Sequence, residues 1–348
     1  MTKKKTAILS IGEICDFDSF LKLHKEKRYI KKSGFEYKTV TYDHILKEKD
    51  LDIEADNVII VPFFPFKYWN KNIENKNYPG LYGNISFRDK FLTFCKMVEG
   101  KIDKQLSGKK YSYLNDLKKC AYYRDKKTML RKLEAGGVNV PRRIDTKSPE
   151  RIIKEVENGG KFFVKPRCGS MGKGITYLEK DNWQTNFKFW KKRIRNRYSD
   201  YGWKFRKVTN NSSFLNDLVK KDFVIEEAID ALRVGKHKVD FRVYVFSGKV
   251  PYIYPRVNVS ESITTNISQG GKGRPSLMNK LPEAVVGKII REARKVAKVL
   301  DLGFIGVDVI IDRGMKKAYI VDVNMFPGFP KRRTFKIARN LIDVLPRK

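Results

Sequence analysis

Two carboxylates and an amide oxygen lie close together near the C-terminal end of the chain, in Val307-Asp308 and in Tyr319-Ile320-Val321-Asp322-Val323-Asn324. Asp322 and Asn324 are two residues apart on a strand-like run and therefore share a face. If that strand pairs with the apolar run Val307-Asp308-Val309-Ile310-Ile311, Asp308 joins them. An all-oxygen set of this kind suits Mg²⁺ rather than a soft metal. Carboxylates inside apolar strands are costly unless paired or metal-bound, so the alternative is that they bind Arg or Lys at strand ends. A second cluster is Lys165-Pro166-Arg167-Cys168-Gly169-Ser170-Met171-Gly172-Lys173-Gly174. Glycines let backbone N–H groups approach phosphate oxygens, and lysine adds charge without fixed geometry. The G-x-x-x-x-G-K-[ST] pattern that opens a helix is absent here. Taken alone, the segment reads equally well as a β-hairpin turn.

Two further runs could serve a nucleotide. Val224-Ile225-Glu226-Glu227-Ala228-Ile229 reads as a strand that could offer backbone N–H and C=O groups to an adenine edge. In Asp240-Phe241-Arg242-Val243-Tyr244-Val245-Phe246, Asp240, Arg242 and Tyr244 face one way and the apolar residues the other. That charged face is either solvated or, with Arg256, a bidentate holder of phosphate or carboxylate. No general base is evident, and His237 reads as a surface histidine.

The elements that must position these residues follow from periodicity. Residues 6–12 and 57–63 read as buried strands of a small α/β domain, and 65–90 as a long loop rich in Asn, Tyr, Lys and Gly. Helices are expected over 124–136, 148–158, 283–300 and 333–343. Strands are expected over 138–140, 161–166, 174–178, 222–226, 239–246, 249–254, 307–311 and 318–323. Residues 181–215 form a basic, aromatic insert (Trp183, Phe187, Phe189, Trp190, Tyr198, Tyr201, Trp203, Phe205) that is either a packed lid or a platform for stacking bases. The 348 residues suit two or three domains. Cys15, Cys95, Cys120 and Cys168 are widely spaced, which argues against zinc or a disulfide framework and for a reducing cytosol. No run of about 18 apolar residues marks a membrane span, and the N-terminal apolar run looks like a strand rather than a signal peptide. The net charge of +35 reads either as attraction to an anionic partner or as Lys-rich, solvated helix faces.

In this order the segments resemble the ATP-grasp superfamily, over about residues 113–330. Asn115-Asp116, Arg124-Asp125-Lys126 and Gly137-Val138-Asn139-Val140-Pro141 look like its opening segment. Asp240 and Arg242 resemble the D-x-R strand of ribosomal-protein glutamate ligases and tubulin-tyrosine ligases. Asn266-Ile267-Ser268-Gln269-Gly270-Gly271 is similar to an element of the glutamate ligases and of spore-coat-associated members. The run from Asp322 to Gly328 also resembles inositol trisphosphate 5/6-kinases.

The resemblance implies an α+β ATP-grasp fold whose two lobes clasp ATP, behind a small α/β domain. The expected boundaries are 1–118, 119–223 and 224–348. It implies ATP as cofactor, with Lys126, Lys165, Gly169, Ser170, Gly172 and Gly174 at the phosphates and Glu226, Glu227, Ile229 and Asp240 on the nucleotide side. Two Mg²⁺ ions, replaceable by Mn²⁺, would sit on Asp308, Asp322 and Asn324, and Arg242, Arg256 and Asn266 would serve catalysis. Asp322 departs from the Glu more common in the ligases, and Arg233 stands where some relatives place a ribose-binding Glu. The implied activity is a cytoplasmic carboxylate–amine ligase working through an acyl phosphate on an anionic small-molecule or peptide acceptor. The alternatives are a kinase for a polyphosphorylated alcohol, or a basic binding protein with a degenerate ATP site, nucleic acid being the less favoured partner. On the ligase reading, Asp322→Ala or Lys165→Ala lowers ATP turnover by orders of magnitude with the fold intact. Turnover assays on folded variants check this, and wild-type rates in Asp322→Ala would refute the magnesium assignment.

Overall fold

The computed structural model of the chain describes residues 5–13, 18–197, 203–208, 211–330 and 335–345. Cys15, Tyr198, Tyr201 and the expected start of the last helix at 333 lie outside them. Ala7, Ile8, Leu9 and Ile11 are fully buried, as a strand covered on both faces requires. Thr6–Ile11 forms the interior of a parallel four-stranded sheet ordered Glu36–Val40, Thr6–Ile11, Asn57–Pro62, Lys110–Tyr113. The middle sheet is antiparallel and runs Arg206–Lys207, Gln184–Thr185, Thr176–Leu178, Phe162–Pro166, Phe223–Glu227. The third sheet is also antiparallel: Lys272–Gly273, Lys249–Val259, His237–Phe246, Phe304–Ile311, Ala318–Asn324, with Arg233–Val234 beside His237–Phe246. Its apolar face is covered by the helix Glu283–Leu300, whose Val285, Ile289, Ala293, Val296 and Leu300 form one buried stripe.

Several expectations are corrected. The segment 65–90 is not a loop: Phe66–Asn72 is helical, and Asn84 caps a 21-residue helix, Ile85–Gln105, by accepting from Ser86 N–H. Phe87, Phe91, Phe94, Val98 and Ile102 repeat at helical spacing on its buried side. Residues 138–140 form no strand; Asn139 C=O instead accepts from Ile320 N–H. The strand Phe223–Glu227 belongs to the middle sheet, because it pairs with Phe162–Pro166, so it does not open the third layer. The helix Lys126–Ala135 packs its Met129, Leu130 and Leu133 with the third sheet's core rather than with the middle sheet. The C-terminal helix, Ile337–Ile342, buries its apolar side with Phe20, Leu23 and Ile30 of the first layer.

In the insert, Trp183, Phe187 and Trp203 are buried in the core, which is the packed-lid reading. Trp190 stands exposed on the hairpin Lys188–Trp190/Arg193–Arg195, ringed by Lys188, Lys191 and Arg195. Cys95, Cys120 and Cys168 are buried free thiols. Among the described residues no helix is long and apolar enough to cross a membrane.

The layers meet at the glycine loop. Gly83 has φ +70°, and a Cβ there would lie 2.8 Å from the Gly169 nitrogen and 2.8 Å from Pro166 Cβ. Its carbonyl accepts from Cys168 N–H at 2.7 Å. Gly34 has φ +89° with nothing near its missing Cβ. Gly34→Ala is therefore expected to cost about 1 kcal/mol from backbone strain alone, and Gly83→Ala about 1–3 kcal/mol more from the added clash. Urea midpoints of the two variants at unchanged m-value check the difference.

Candidate functional site

Register in the third sheet places the charged residues opposite one another. Tyr254 faces Arg242, Arg242 faces Asp308, and Asp308 faces Asp322, so one row crosses four strands. The next row is Tyr252, Tyr244, Gly306 and Asn324. Gly306 leaves room for the row beside it, because a Cβ there would meet Arg242 Cδ at 3.1 Å and Pro327 Cβ at 2.7 Å. A bulge after the Asp308–Asp322 pair inserts Val321. It lets Ile320 and Val323 both enter the core while Asp322 and Asn324 turn to the cleft.

The charges are paired. Arg242 Nε donates to Asp308 Oδ1 at 2.5 Å and Nη2 to Oδ2 at 3.0 Å. Arg256 donates to both Asp240 oxygens at 2.7 and 2.6 Å, and its Nη2 lies 3.1 Å from Asp308 Oδ1. Lys126 Nζ donates to Asp322 Oδ1 at 2.5 Å. Lys165 Nζ donates to Glu226 Oε2 at 2.6 Å and to the carbonyl of the bulged Val321 at 3.3 Å. Burial alone would raise the Asp308 carboxyl, but Arg242 and Arg256 outweigh it and hold the group below the usual carboxylate range. Burial likewise opposes charge on Lys126, and Asp322 outweighs it, so the ammonium is held above its ordinary value.

Asp308 and Asp322 of the row line both of two adjoining cavities. One, of about 700 Å³, is lined by Phe163, Ile175, Tyr177, Ile310 and Val321, together with Lys165, Glu226, Glu227, Ile229 and Asp240. The other, of about 840 Å³, has eight cationic and three acidic side chains among its described lining residues and includes Trp69, Tyr244 and Phe326. Lys126, Gly169, Ser170, Gly172, Arg256, Asn266, Asp308 and Asp322 line both. Asn324 and Arg242 line only the second. Gly174 lines neither; it packs on Pro166 and Phe187. No histidine among the described residues lines either cavity.

Two expected roles are revised by hydrogen bonding. The N–H groups of Glu227 and Ala228 are taken by the carbonyls of Arg142 and Lys161, so this segment leaves a ligand Ile229 N–H rather than a free row of donors. Arg256 is engaged by two aspartates, which makes it a clamp on Asp240 and Asp308. Glu226 Oε1, Asn324 Nδ2 and Arg124 Nε are among the buried polar atoms without a partner. An Asn amide can be turned to present oxygen instead. Asn324 Oδ1 beside two carboxylates then fits an oxygen-preferring cation.

The parts that sequence reasoning missed come from 66–84. Tyr82 OH accepts from Ser170 N–H at 3.2 Å, and Lys173 Nζ meets Glu74 Oε1 at 2.8 Å. On the opposite side Ser268 Oγ donates to Met171 C=O at 2.8 Å, closing the glycine loop onto the third sheet. Arg167 is held by Asp125 and by Asp222, and its carbonyl accepts from Lys126 N–H at 2.8 Å. The basic residues flanking the glycines are thus braces. The only sequence signal for this was the helical repeat after Asn84.

A family model described as YheC/D like ATP-grasp matches residues 119–343. No match is found among curated proteins. Solved structures share the fold. The ATP-grasp ligase PsnB complexed with minimal precursor is 15% identical, with TM-score 0.58 over 97% of this chain and 98% of that one. The macrocyclase MdnC bound with precursor peptide MdnA, from Microcystis aeruginosa MRC, is 14% identical, with TM-score 0.57 over 97% and 99%. D-alanine–D-alanine ligase from Bacillus anthracis is 16% identical, with TM-score 0.52 over 94% and 88%.

Asp125 anchors this geometry. It is fully buried, caps the helix Lys126–Ala135, and binds Arg167 Nε at 2.7 Å. Burial alone would raise its carboxyl, but Arg167 and Thr128 outweigh it and lower it. A depressed carboxyl stabilises the fold above its unfolded value and loses that contribution as pH falls through the folded one. Asp125→Asn is expected to cost about 3 kcal/mol at pH 7, and its deficit against wild type should shrink below about pH 4. Urea melts across pH check both.

Proposed function

The chain belongs to the YheC/D-like ATP-grasp family, and from that premise we propose that it is an ATP-dependent ligase joining an acceptor carboxylate to an amine. One observation carries this reading: Asp308 and Asp322, in register with Arg242, stand where a partly apolar cavity adjoins a larger, cation-rich one. The triphosphate of a nucleotide seated in the first would cross that junction toward an acceptor in the second. Phe163 and Tyr177, with ring centroids 5.3 Å apart, offer an apolar wall to adenine, and Ile229 N–H offers a donor to its edge.

Asp308, Asp322 and Asn324 would hold magnesium, which supplies positive charge to β- and γ-phosphate oxygens. The remaining work belongs to the side chains. Lys126 and Lys165 sit at the junction to neutralise phosphate charge, and Arg242 reaches it from the acceptor side. Arg256 keeps Asp240 and Asp308 oriented, and Asn266 lies where the cavities join. Ser170 and the neighbouring loop backbone exclude water.

The cluster of Asp240, Asp308, Asp322, Glu226, Lys126, Lys165, Arg242 and Arg256 carries no net charge. One fully ionised triphosphate and two divalent cations also sum to zero. Loading both therefore keeps the desolvated cluster neutral, which is the support for two ions.

In the reaction an acceptor carboxylate oxygen bonds to the γ-phosphorus as the bond to ADP breaks. The amine then attacks the acyl carbon, and phosphate leaves with that oxygen. A peptide is the acceptor class we favour. PsnB is solved with precursor, Mg and ADP, and MdnC with a precursor peptide. Nothing in the comparisons favours the kinase.

Incubation with ATP, Mg²⁺ and carboxylate-labelled (¹⁸O) acceptors is expected to release ADP and phosphate carrying one labelled oxygen, and hydroxylamine should divert the acceptor to a hydroxamate. Phosphate retained on the acceptor would overturn the ligase reading.

A further inference from the structure

We infer that Arg124 is the binding residue for a second carboxylate of the acceptor, one that is not itself activated; this rests on the ligase reading of the same cleft. Four described guanidiniums line the larger cavity: Arg124, Arg197, Arg242 and Arg256. Arg197 donates to the carbonyls of Asn186 and Phe187, while Arg242 and Arg256 donate to aspartates. Arg124 alone meets no oxygen, and its Nε is buried without a partner.

Its position is built rather than incidental. The next residue, Asp125, is fixed by Arg167, which anchors the backbone. The guanidinium lies 4.0 Å from the Trp69 ring centroid and 5.1 Å from that of Phe64. The Trp69 indole N–H donates to Glu74 Oε2 at 2.8 Å, and Glu74 is also held by Lys173. The stack is therefore tied to the glycine loop. Phe64 packs against Phe326, two residues beyond Asn324, so the stack adjoins the reactive row.

The chemistry selects the ligand. Aromatic contact satisfies the face of a guanidinium, not the N–H groups at its edge. Those donors form a planar fork that matches a carboxylate in bidentate fashion. Leaving buried charge uncompensated is costly. Burial indeed depresses the Arg124 pKa, with its surrounding acids offsetting this only in part. Neither nearby acid bonds it: Glu74 is engaged by Lys173 and Trp69, and Asp322 by Lys126. The matching anion must arrive with a ligand. An acceptor with one carboxylate at the row and another at Arg124 uses both features of the cavity.

The test is calorimetric titration of the full chain, loaded with Mg²⁺ and a non-hydrolysable ATP analogue, with glutarate, L-glutamate, acetate and inorganic phosphate. Expected is binding of glutarate or L-glutamate about tenfold or more tighter than acetate. Arg124→Met should abolish that preference while leaving affinity for the ATP analogue within about twofold. Arg124→Lys, which keeps the charge over Trp69 but loses the fork, should restore it only in part; it carries the test if the Met variant does not fold. Equal dicarboxylate affinity in wild type and variant overturns the inference. So does no dicarboxylate preference, no binding at all, or a preference for phosphate. The readout needs no turnover, so it fails separately from the ligase reading, which fails on the fate of the labelled oxygen.

Discussion

Antiparallel register across four strands is the constraint from which the site follows. Directly opposed residues on one sheet face have Cβ atoms only about 5 Å apart. Placing Arg242 opposite Asp308, and Asp308 opposite Asp322, therefore creates a contiguous row of charge without any loop to hold it. A lone buried ion would be strongly destabilising, so each acid of the row is answered by a base from the row, from Arg256, or from Lys126 across the cleft, while Lys165 answers Glu226 on the strand beside it. The Val321 bulge adds the last adjustment. It keeps Ile320 in the core, turns Asp322 outward and frees a carbonyl for Lys165.

The first layer does more than precede the cleft. Tyr82, Gly83 and Glu74 brace the glycine loop from one side, and Ser268 holds it from the other. Asn115 ties the layers by donating to the carbonyl of Met325 and accepting from Phe304 N–H. The larger cavity thereby gains walls from every layer, including the aromatic shelf on which Arg124 rests. Phe187 and Trp203 of the 181–215 insert join the same consolidation, packing together with Tyr82.

Much of this was legible in the residues. Strand periodicity located seven of the eleven described strands of the second and third sheets; the four it did not, Gln184–Thr185, Arg206–Lys207, Arg233–Val234 and Lys272–Gly273, are only two residues long. The alternation of Asp240, Arg242 and Tyr244 gave their common face, and Asp322 and Asn324 were correctly placed side by side. The helix Ile85–Gln105 was missed, although Phe87, Phe91, Phe94, Val98 and Ile102 carry its period, because the Asn, Tyr and Gly before it dominated the local composition. Gly174, which the resemblance places at the phosphates, packs on Pro166 and Phe187.

By itself the sequence determined the longer strands of the second and third sheets, the helices Lys126–Ala135, Pro149–Glu157 and Glu283–Leu300, the face that Asp240, Arg242, Asp322 and Asn324 occupy, and that glycines join two strands beside lysines. Those are short-range consequences of backbone geometry and solvent preference. The tertiary structure alone decided the partners: Lys126 with Asp322, 196 residues apart, Lys173 with Glu74, 99 apart, and Arg124 left with no acid. Pairing at such separations depends on how layers pack and where a bulge shifts register by one residue. No local propensity encodes either choice, because their energy appears only once distant segments share a desolvated surface.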